Sequence, residues 1–405
     1  MRARQFEATN LVHFAKRIAR ALFLHQPFID GWHARFPAVW TARSARSCSN
    51  SEDTRCSECT WQINWDHVEE GESSCPRTRD QADAQNICNR LGIELHVVNF
   101  VKEYWNEVFL KLIAGYERGL TLVPDIECNR SIKFGLLHDH VRKQFGIERI
   151  ATGHYAQNSM GNFLEFEDRP AQLLTARDPF KDQTFFLSTL SAEQLCRSMF
   201  PVGGIMKPDV KKMAEANGFG DIANRAESMG ICFVGKKRNF AEFLEKYIPP
   251  KTGPIVEVDS NRTIGEHRGV HYFTLGKRVS VDPLRFPNHD GVFVVRCDIP
   301  NNILYVASST ATSSFHPLLY AKTIRVEDLH WISPDSQPNC RSSLEFRCQR
   351  THPTIKCEFT PDGQKGAVLR SQLPIRAAAL GQSCVFYKRN VCLGSGRIAE
   401  VLETL

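Results

Sequence analysis

Residues 149–154, Arg149-Ile150-Ala151-Thr152-Gly153-His154, join a short apolar strand pattern to a glycine and a histidine. The segments before it alternate between helical and strand patterns, which predicts an α/β domain with a parallel sheet covered by helices. In such sheets ligands bind at the carboxyl ends of strands, where Gly153 and His154 are expected to lie. The predicted upstream elements are a helix over Asp80–Leu91, a strand buried on both faces over Glu94–Phe100, and helices over Tyr104–Tyr116 and Ile132–Phe145.

The rest of the chain divides by pattern. Ser44–Arg79 lacks apolar periodicity and is predicted to be a loop, whereas helices are predicted over Ala192–Met199 and Lys207–Asn217. From Gly253 onward, short strands and turns predict a small β-domain and then a β-barrel. The predicted strands are Ile255–Val258, Val270–Thr274, Val292–Arg296, Ile303–Val306, Ser343–Arg347, Ile355–Phe359, Ala367–Arg370 and Cys384–Tyr387. The predicted domains are an atypical basic segment (1–60), an α/β catalytic domain (61–238), a central β-domain (239–315) and a C-terminal barrel (316–405).

Composition excludes several classes of protein. The chain has 405 residues, 42% of them hydrophobic, which suits two or three folded domains rather than a disordered protein. A net charge of +6 permits contact with a polyanion without requiring it. No apolar run reaches the roughly 18–20 residues of a membrane span. The 14 cysteines lack the spacing of a small disulfide-bonded domain, which favours an intracellular, reducing compartment.

The first 46 residues contain eight arginines and lysines but only two acidic residues. Residues 11–24 could form a basic amphipathic helix, which is typical of a mitochondrial transit peptide. The alternative is a basic tail without a targeting role.

Two cysteines stand in contexts that suggest chemistry. Cys128 precedes a predicted helix, where the helix dipole with Arg130 and Lys133 would favour the reactive thiolate. A buried structural cysteine is the alternative, and Asp125 could be only a cap or turn residue. Cys232 lies in an apolar run between glycines, so that a core cysteine is its alternative.

These motifs occur in the same order as in a known family. The chain resembles the tRNA-specific 2-thiouridylases, which place sulfur on the wobble uridine of tRNA. The resemblance covers residues of about 65–400. It is carried by Trp65-Asp66, the segment Asp80–Tyr116, Pro124–Arg130, Gly153-His154, Lys181–Leu187, Phe200–Gly204, Ser228–Phe233 and Gly265–Gly269.

The resemblance implies a PP-loop fold of the adenine-nucleotide α-hydrolase type and a sulfur-transfer mechanism. ATP, with Mg²⁺, adenylates the C2 oxygen of the uridine, because an amide-like carbonyl is a poor electrophile until it is activated. The cysteine that matches Cys232 accepts sulfur as a persulfide and delivers it to C2. The cysteine that matches Cys128 then attacks the base or forms a disulfide that releases the sulfur. Asp125 matches an acidic residue beside the target base, and together with Cys128 and Cys232 it forms the expected catalytic set.

Further site residues and partners are implied by the same matches. Val123 and Pro124 share the loop of Asp125, and Gly153 matches a glycine that contacts ATP. The expected tRNA, with uridine extruded from a single-stranded loop, is of the lysine, glutamate or glutamine type. The sulfur donor is expected to be a cysteine desulfurase or a carrier, and the enzyme is expected to be a monomer without a membrane partner or metal site. Positions that match tRNA contacts are His154, Lys181, Asp182, Gln183, Arg347 and Gln382.

The chain departs from the family at its N-terminus. The family begins with a Ser-Gly-Gly-Val-Asp-Ser phosphate loop, but Gly31 is the only glycine in residues 1–60. A phosphate loop needs several glycines so that its backbone N–H groups can converge on the pyrophosphate. Either the N-terminal sequence comes from an incorrect gene model, which the two retained cysteines favour, or ATP binding has been lost. Smaller departures are Leu122-Val123 in place of Pro-Asn, Met229 in place of Gln, and Lys277 in place of Gln.

Three alternatives remain open. A tRNA-binding protein without catalysis would retain the basic surface and barrel. A related ATP-pyrophosphatase-type enzyme, such as an argininosuccinate or GMP synthetase, would not need paired thiols. Cys56 and Cys59 have the spacing of half a zinc site, but a second pair at zinc-ribbon spacing is absent.

Overall fold

The computed structural model describes residues 39–42, 57–62, 76–223, 243–280, 292–308 and 316–405, the first two segments and residues 76–80 by their backbone alone. The described residues form two compact units. The first contains the described residues up to Val108, those of 125–223, and Asn390–Leu393. The second contains Phe109–Pro124, the described residues of 243–389, and Gly394–Leu405.

The first unit is built on a five-stranded sheet of order β3-β2-β1-β4-β7. Two of its pairings are parallel, β2 with β3 and β4 with β7, whereas β1 is antiparallel to both of its neighbours. A separate hairpin, β5–β6, pairs with Val391 and Cys392 of the last strand. The strands are β1 (Val39–Ala42), β2 (Ser57–Gln62), β3 (Glu94–Asn99), β4 (Arg149–Ala151), β5 (Ala156–Asn158), β6 (Leu173–Thr175) and β7 (Ser198–Met199).

The described helices alternate with these strands. Two of them contain a π-helical segment, in which each N–H group bonds to the carbonyl five residues earlier. The helices are α1 (Pro76–Leu91); α2, made of Val101–Tyr104, a π-helical turn Trp105–Phe109 and Leu110–Glu117; α3, made of Pro124–Glu127, a π-helical segment Cys128–Leu137 and His138–Phe145; α4 (Ala192–Cys196); α5 (Lys207–Ala216); and α6 (Gly220–Ala223). A 3₁₀ turn covers Thr184–Leu187.

Local sequence explains the ends of these helices. Gly146 has a φ of 66° and its N–H bonds to the carbonyl of Arg142, so that α3 ends in a left-handed cap that glycine adopts without strain. Ser191 and Gln194 bond reciprocally to each other's backbone N–H in a capping box at the start of α4. Pro208 occupies the first turn of α5, where its missing N–H leaves no hydrogen bond unmade.

The second unit is all-β apart from short helical segments. Its first sheet has the order β10-β11-β12-β8-β9, and its core consists of aliphatic residues such as Val292, Val294 and Leu304. The second sheet closes into a barrel, β13-β16-β15-β14-β17-β18, because β13 also pairs with β18. The strands are β8 (Gly253–Glu257), β9 (Arg262–His267), β10 (Arg278–Val279), β11 (Val292–Asp298), β12 (Ile303–Ser308), β13 (Tyr320–Trp331), β14 (Ser342–Arg347), β15 (Ile355–Asp362), β16 (Gly366–Arg376), β17 (Ser383–Lys388) and β18 (Val391–Thr404).

Aromatic rings fill the barrel. Phe346, Phe359 and Phe386 have at most 1% of their surface exposed, and Trp331 stacks on Phe386 with ring centroids 5.3 Å apart. Short 3₁₀ turns at Val270–Tyr272, Pro317–Leu319 and Pro334–Ser336 connect strands of this unit.

Several sequence-based predictions need correction. The strand predicted over Val270–Thr274 is a 3₁₀ turn, in which the Tyr272 hydroxyl donates a hydrogen bond to the Ile248 carbonyl at 3.0 Å. The predicted loop over Ser44–Arg79 contains β2 and the start of α1. β3 is partly exposed along its length rather than buried on both faces. The helix predicted over Ala192–Met199 ends at Cys196, because Ser198 and Met199 pair with β4 as a strand.

A glycine pair after β7 provides a test of the packing. A Cβ atom on Gly203 would collide with the backbone carbonyl of Ala156, whereas one on Gly204 would meet only side-chain amides, those of Asn162 and Gln157. Gly203→Ala should therefore lower the free energy of unfolding by about 2–3 kcal/mol, and Gly204→Ala by less than about 1 kcal/mol. Urea denaturation of both variants measures the difference. Equal losses would show that the strand β5 backbone moves freely away from residue 203.

Candidate functional site around Cys128

The π-helical segment of α3 is held by a residue distant in sequence. The side-chain amide of Gln194 donates hydrogen bonds to the carbonyls of Arg130 and Phe134, each at 3.0 Å. Gly135 lacks a Cβ atom that would otherwise lie 3.0 Å from the Arg130 carbonyl. π-Helical segments within α-helices frequently occur at functional sites. This segment begins at Cys128.

One face of α3 contains a group of polar residues. Asp125 lies three residues before Cys128 and four before Asn129, the spacings at which helical side chains become neighbours. Cys128, Asn129 and Lys133 have only 5%, 2% and 5% of their surface exposed. The charge of Lys133 lowers the pKa of both Asp125 and Cys128. We call these four residues, Asp125, Cys128, Asn129 and Lys133, the polar face of α3.

Burial controls the protonation of Cys128. The pKa of the thiol is raised to about 12, chiefly by removal from solvent; the charge of Lys133 opposes this rise and that of Asp125 adds to it. The prediction of a resting thiolate is therefore wrong. The helix dipole acts most strongly within the first turn, but α3 begins at Pro124 and Cys128 lies beyond that turn. Arg130 is exposed to solvent. The resting form of this cysteine is the thiol.

Two acceptor atoms on the polar face have no hydrogen-bond partner among the described residues. They are Oδ2 of Asp125 and Oδ1 of Asn129, both buried. The Asn129 amide nitrogen donates to the Phe186 carbonyl at 3.0 Å, which determines the direction of its oxygen. Burial raises the pKa of Asp125 to about 6, although Lys133 partly opposes the shift. A donor from water, from a bound ligand or from another part of the chain can satisfy such acceptors.

The motif after β4 lies beside this face. His154 packs its ring against Phe134 of α3, with centroids 5.6 Å apart, and its Nδ1 lies 2.8 Å from the Thr152 hydroxyl. Gly153, between them, is buried at the carboxyl end of β4. The structure therefore brings the two predicted motifs, around Cys128 and around Gly153, to neighbouring positions in the first unit.

The segment Lys181-Asp182-Gln183 supports the same region. Asp182 accepts hydrogen bonds from the Ala176 N–H at 2.9 Å and from the Thr184 hydroxyl at 2.8 Å. The Gln183 side-chain oxygen accepts from the Tyr155 N–H at 2.9 Å. Both side chains therefore brace the backbone, whereas Lys181 is partly exposed. Their expected contact with tRNA stays a prediction.

Sequence reasoning missed a buried lysine near this segment. Lys207 is 5% exposed, and its ammonium lies 5.8 Å from the centre of the Tyr155 ring. Its pKa is lowered to about 8, chiefly by burial; the charges of Lys181 and Lys211 contribute to this shift and Asp178 opposes it. Its position before Pro208 indicated only the start of a helix. Nothing in that pattern distinguishes a buried ammonium from an exposed one.

The remaining predicted residues are placed elsewhere. Val123 and Pro124 belong to the second unit, although they directly precede Asp125 in the chain. Arg347 and Gln382 are buried in the second unit. Arg347 donates to the Tyr387 hydroxyl and the Arg350 carbonyl, both at 3.0 Å, and the Gln382 oxygen accepts from the Ala379 N–H at 3.2 Å. These bonds engage both side chains within their own unit, and their tRNA contact stays a prediction.

Some predictions fall outside the described residues. Cys232, the absent phosphate loop and the side chains of Cys56 and Cys59 are among them. Within the described part of the chain, no group of three or more histidine, cysteine or acidic side chains is placed to hold a metal ion. No helix of that part is both long and apolar enough to cross a membrane.

Comparison with known proteins identifies the family. Residues 45–236 match the family model described as the tRNA methyl transferase HUP domain, 241–308 the tRNA methyl transferase PRC-barrel domain, and 321–398 the aminomethyltransferase beta-barrel domain. The chain is 46% identical over 348 residues to a probable mitochondrial tRNA-specific 2-thiouridylase 1 of Caenorhabditis elegans, covering 85% of this chain and 91% of that one. The chain belongs to the tRNA-specific 2-thiouridylase family. The order of the three domain types confirms the predicted fold class.

Two other relatives extend the comparison beyond nematodes. The human mitochondrial tRNA-specific 2-thiouridylase 1 is 37% identical over 359 residues, covering 84% of this chain and 83% of its own. A tRNA-specific 2-thiouridylase of the bacterium Pectobacterium carotovorum is 40% identical over 346 residues, covering 84% and 89%. The resemblance predicted from the ordered motifs is thus confirmed for both mitochondrial and bacterial members of the 2-thiouridylase family.

The raised pKa of Asp125 predicts a stability change with a defined sign. Folding raises this pKa from 3.8 to about 6, so that the free energy of unfolding falls as the pH rises through this interval and the loss is complete above it. Asp125→Asn removes the buried charge and should be more stable than the wild type at pH 7.5 by about 1–3 kcal/mol. The difference should shrink towards pH 4.

Urea denaturation at the two pH values measures this effect. Asp139→Asn is the matched control on the same helix, because the Asp139 side chain is 51% exposed. An Asp125→Asn variant that is less stable than the wild type at pH 7.5 would show that the carboxylate is stabilised rather than strained by its surroundings.

Proposed function

We propose that this chain transfers sulfur to C2 of the wobble uridine, position 34, of mitochondrial tRNAs, and so forms 2-thiouridine. The tRNAs are those for lysine, glutamate and glutamine, and the sulfur comes from a cysteine desulfurase or a carrier. The family membership supports the reaction class, and the relatives named as mitochondrial support the compartment. The observation that carries the proposal is the polar face of α3, where a thiol and a carboxyl group lie one helical turn apart in a buried setting.

The polar face suits a pyrimidine base. Asp125 Oδ2 and Asn129 Oδ1 are buried acceptors without partners among the described residues, and uracil carries an N–H donor at N3. A donor in the substrate would satisfy an atom that is otherwise buried at a cost of about 1–3 kcal/mol. Reading an extruded base through its hydrogen-bonding edge is a common mode of RNA recognition.

ATP supplies the activation of the C2 oxygen in this proposal. Within the described chain, the carboxyl end of β4 suits a nucleotide, because ligands bind at such strand ends. Gly153 has no side chain, so that a nucleotide can approach the backbone closely there. The chain's own residues hold the base, exclude water and handle the sulfur. Cys128 and Asp125 suit these tasks, since the Cys128 side chain and the Oδ2 atom of Asp125 are buried on the same face of α3.

The sulfur-handling steps balance with two thiols. The terminal sulfur of a persulfide on Cys232 bonds to C2 while the activated oxygen leaves. The Cys128 thiolate then attacks the Cys232 sulfur, so that a Cys128–Cys232 disulfide forms and the sulfur stays on C2. A cellular thiol reductant supplies the two electrons that return both cysteines to the reduced state. Thiol pairs suit this task because exchange between them requires no further cofactor.

Nucleoside mass spectrometry tests the proposal. The full chain, unmodified tRNA, ATP and a persulfide source should yield 2-thiouridine, and Cys232→Ser or Cys128→Ser should reduce it by at least about a hundredfold, because each removes a sulfur that forms a covalent bond. Cys340→Ser is the matched control, since Cys340 is a free, exposed cysteine of the barrel. Omission of ATP should also abolish the product.

Two results would contradict the proposal. Undiminished product from Cys232→Ser would remove the persulfide role from that residue. Binding of tRNA without any 2-thiouridine, under conditions in which a bacterial relative is active, would indicate a tRNA-binding protein that does not catalyse sulfur transfer.

A further inference from the structure

Lys133 is a buried cation that the mechanism above does not use. It is 5% exposed, and its neighbours in the sequence, Ile132 and Phe134, are core residues with 0% and 2% exposure. Lysine is almost never buried to this degree unless a charge or a polar network compensates it. Among the described residues, its charge acts on the ionisable groups of Asp125 and Cys128.

The π-helical segment explains how Lys133 reaches Cys128. In an α-helix the neighbours of Cys128 on the same face would be three and four residues away. The π-helical pattern connects residues five apart, which is the separation of Cys128 and Lys133. The Gln194 hydrogen bonds to the carbonyls of Arg130 and Phe134 hold this segment. The π-helical geometry therefore puts Lys133 and Cys128 on the same face of α3.

Among the described residues, the elements packed against the polar face contribute neutral groups. The turn at Thr184–Leu187 contributes the Phe186 carbonyl to Asn129, and α4 contributes the neutral Gln194. His154 lies against Phe134 and is engaged with Thr152. The charge of Lys133 thus acts on two groups of the same helix that can each carry one negative charge, Asp125 and Cys128.

We propose that Lys133 is a positioning residue that stabilises the thiolate of Cys128, and that Asp125 competes with this thiolate for the same cation. The inference builds on the proposed function, in which Cys128 must become a thiolate to attack sulfur. One cation that acts on two potential anions makes their charges interdependent. A proton taken up by Asp125 removes its negative charge and leaves the field of Lys133 to the cysteine.

Opposite charge changes should then have opposite effects on Cys128. Without Lys133 the thiol pKa rises further, and without the Asp125 charge it falls. Below the thiol pKa, alkylation follows the fraction of thiolate, so that a change of one pKa unit alters the rate about tenfold. Lys133→Met should slow alkylation of Cys128 about tenfold, and Asp125→Asn should accelerate it about three- to tenfold.

Iodoacetamide labelling of the full chain, without tRNA or ATP, measures these rates between pH 7 and 10. The tryptic peptide of residues 119–130, or of residues 119–133 in Arg130→Met, contains Cys128 as its only cysteine, and mass spectrometry quantifies its label. Arg130→Met is the matched control, because it removes an exposed cation from the same helix and should leave the rate unchanged. Lys133→Arg retains the charge and should stay within about twofold of the wild type.

The design separates electrostatics from unfolding. Slower labelling in Lys133→Met cannot arise from a loosened fold, and Asp125→Asn is predicted to be the more stable protein. Cys384 of the barrel is 0% exposed, so faster labelling of this cysteine reports that Lys133→Met has failed to fold. In that case the labelling rate of Asp125→Asn tests the inference. Equal rates for Lys133→Met and the wild type, or unchanged or slower labelling in Asp125→Asn, would overturn the inference. Failure of the sulfur-transfer assay leaves these rates unaffected and would overturn only the proposed function.

Discussion

Desolvation of the polar face of α3 is the constraint on which the chemistry of this protein depends. It raises the pKa of the Cys128 thiol to about 12 and that of the Asp125 carboxyl to about 6, and Lys133 counters both shifts from the same helix. In water these groups would interact weakly, because charges a few ångströms apart are screened by about 80-fold. Burial makes their interaction strong enough to matter for a reaction.

The fold arranges this burial through contacts that are distant in sequence. Gln194 caps α4 and at the same time bonds two carbonyls of the π-helical segment. The Phe186 carbonyl orients Asn129, and Phe134 lies between α3 and His154. Each of these contacts joins α3 to a segment that follows β4. The α/β unit therefore supplies the site with rigid neighbours on several sides, as a pre-organised site requires.

Sequence patterns predicted the elements whose periodicity is strong. Lys207–Ala216 and four of the six barrel strands, β14 to β17, agree with the predicted elements, because burial of one face determines both the pattern and the structure. The π-helical segment was not predictable, since it depends on Gln194, about sixty residues away. The strand β1 was missed because Val39–Ala42 is short and lies in a segment of mixed composition. Both elements depend on contacts between residues that are distant in sequence, which a local pattern does not contain.

The sequence predicted two residues of the candidate site, Asp125 and Cys128, but not the charge state of its groups. Asp125 and Cys128 were identified from the family motif, whereas the same motif gave no reason to treat Lys133 and Arg130 differently. The structure separates them, because Lys133 is buried and Arg130 is exposed. Burial also reverses the expected state of Cys128 from thiolate to thiol. A helix dipole changes an energy by about 0.3–1 kcal/mol at an exposed end, so that it is outweighed here by desolvation.

A resting thiol has a chemical advantage in an enzyme that handles sulfur. Thiolates react with disulfides and oxidants, and a permanently ionised Cys128 would be consumed before a substrate arrived. With the cation of Lys133 shared between Cys128 and Asp125, the reactive form depends on the state of the carboxyl group. A substrate that transfers a proton to Asp125 then changes the reactivity of the cysteine one helical turn away. Recognition and activation would share the same buried charge.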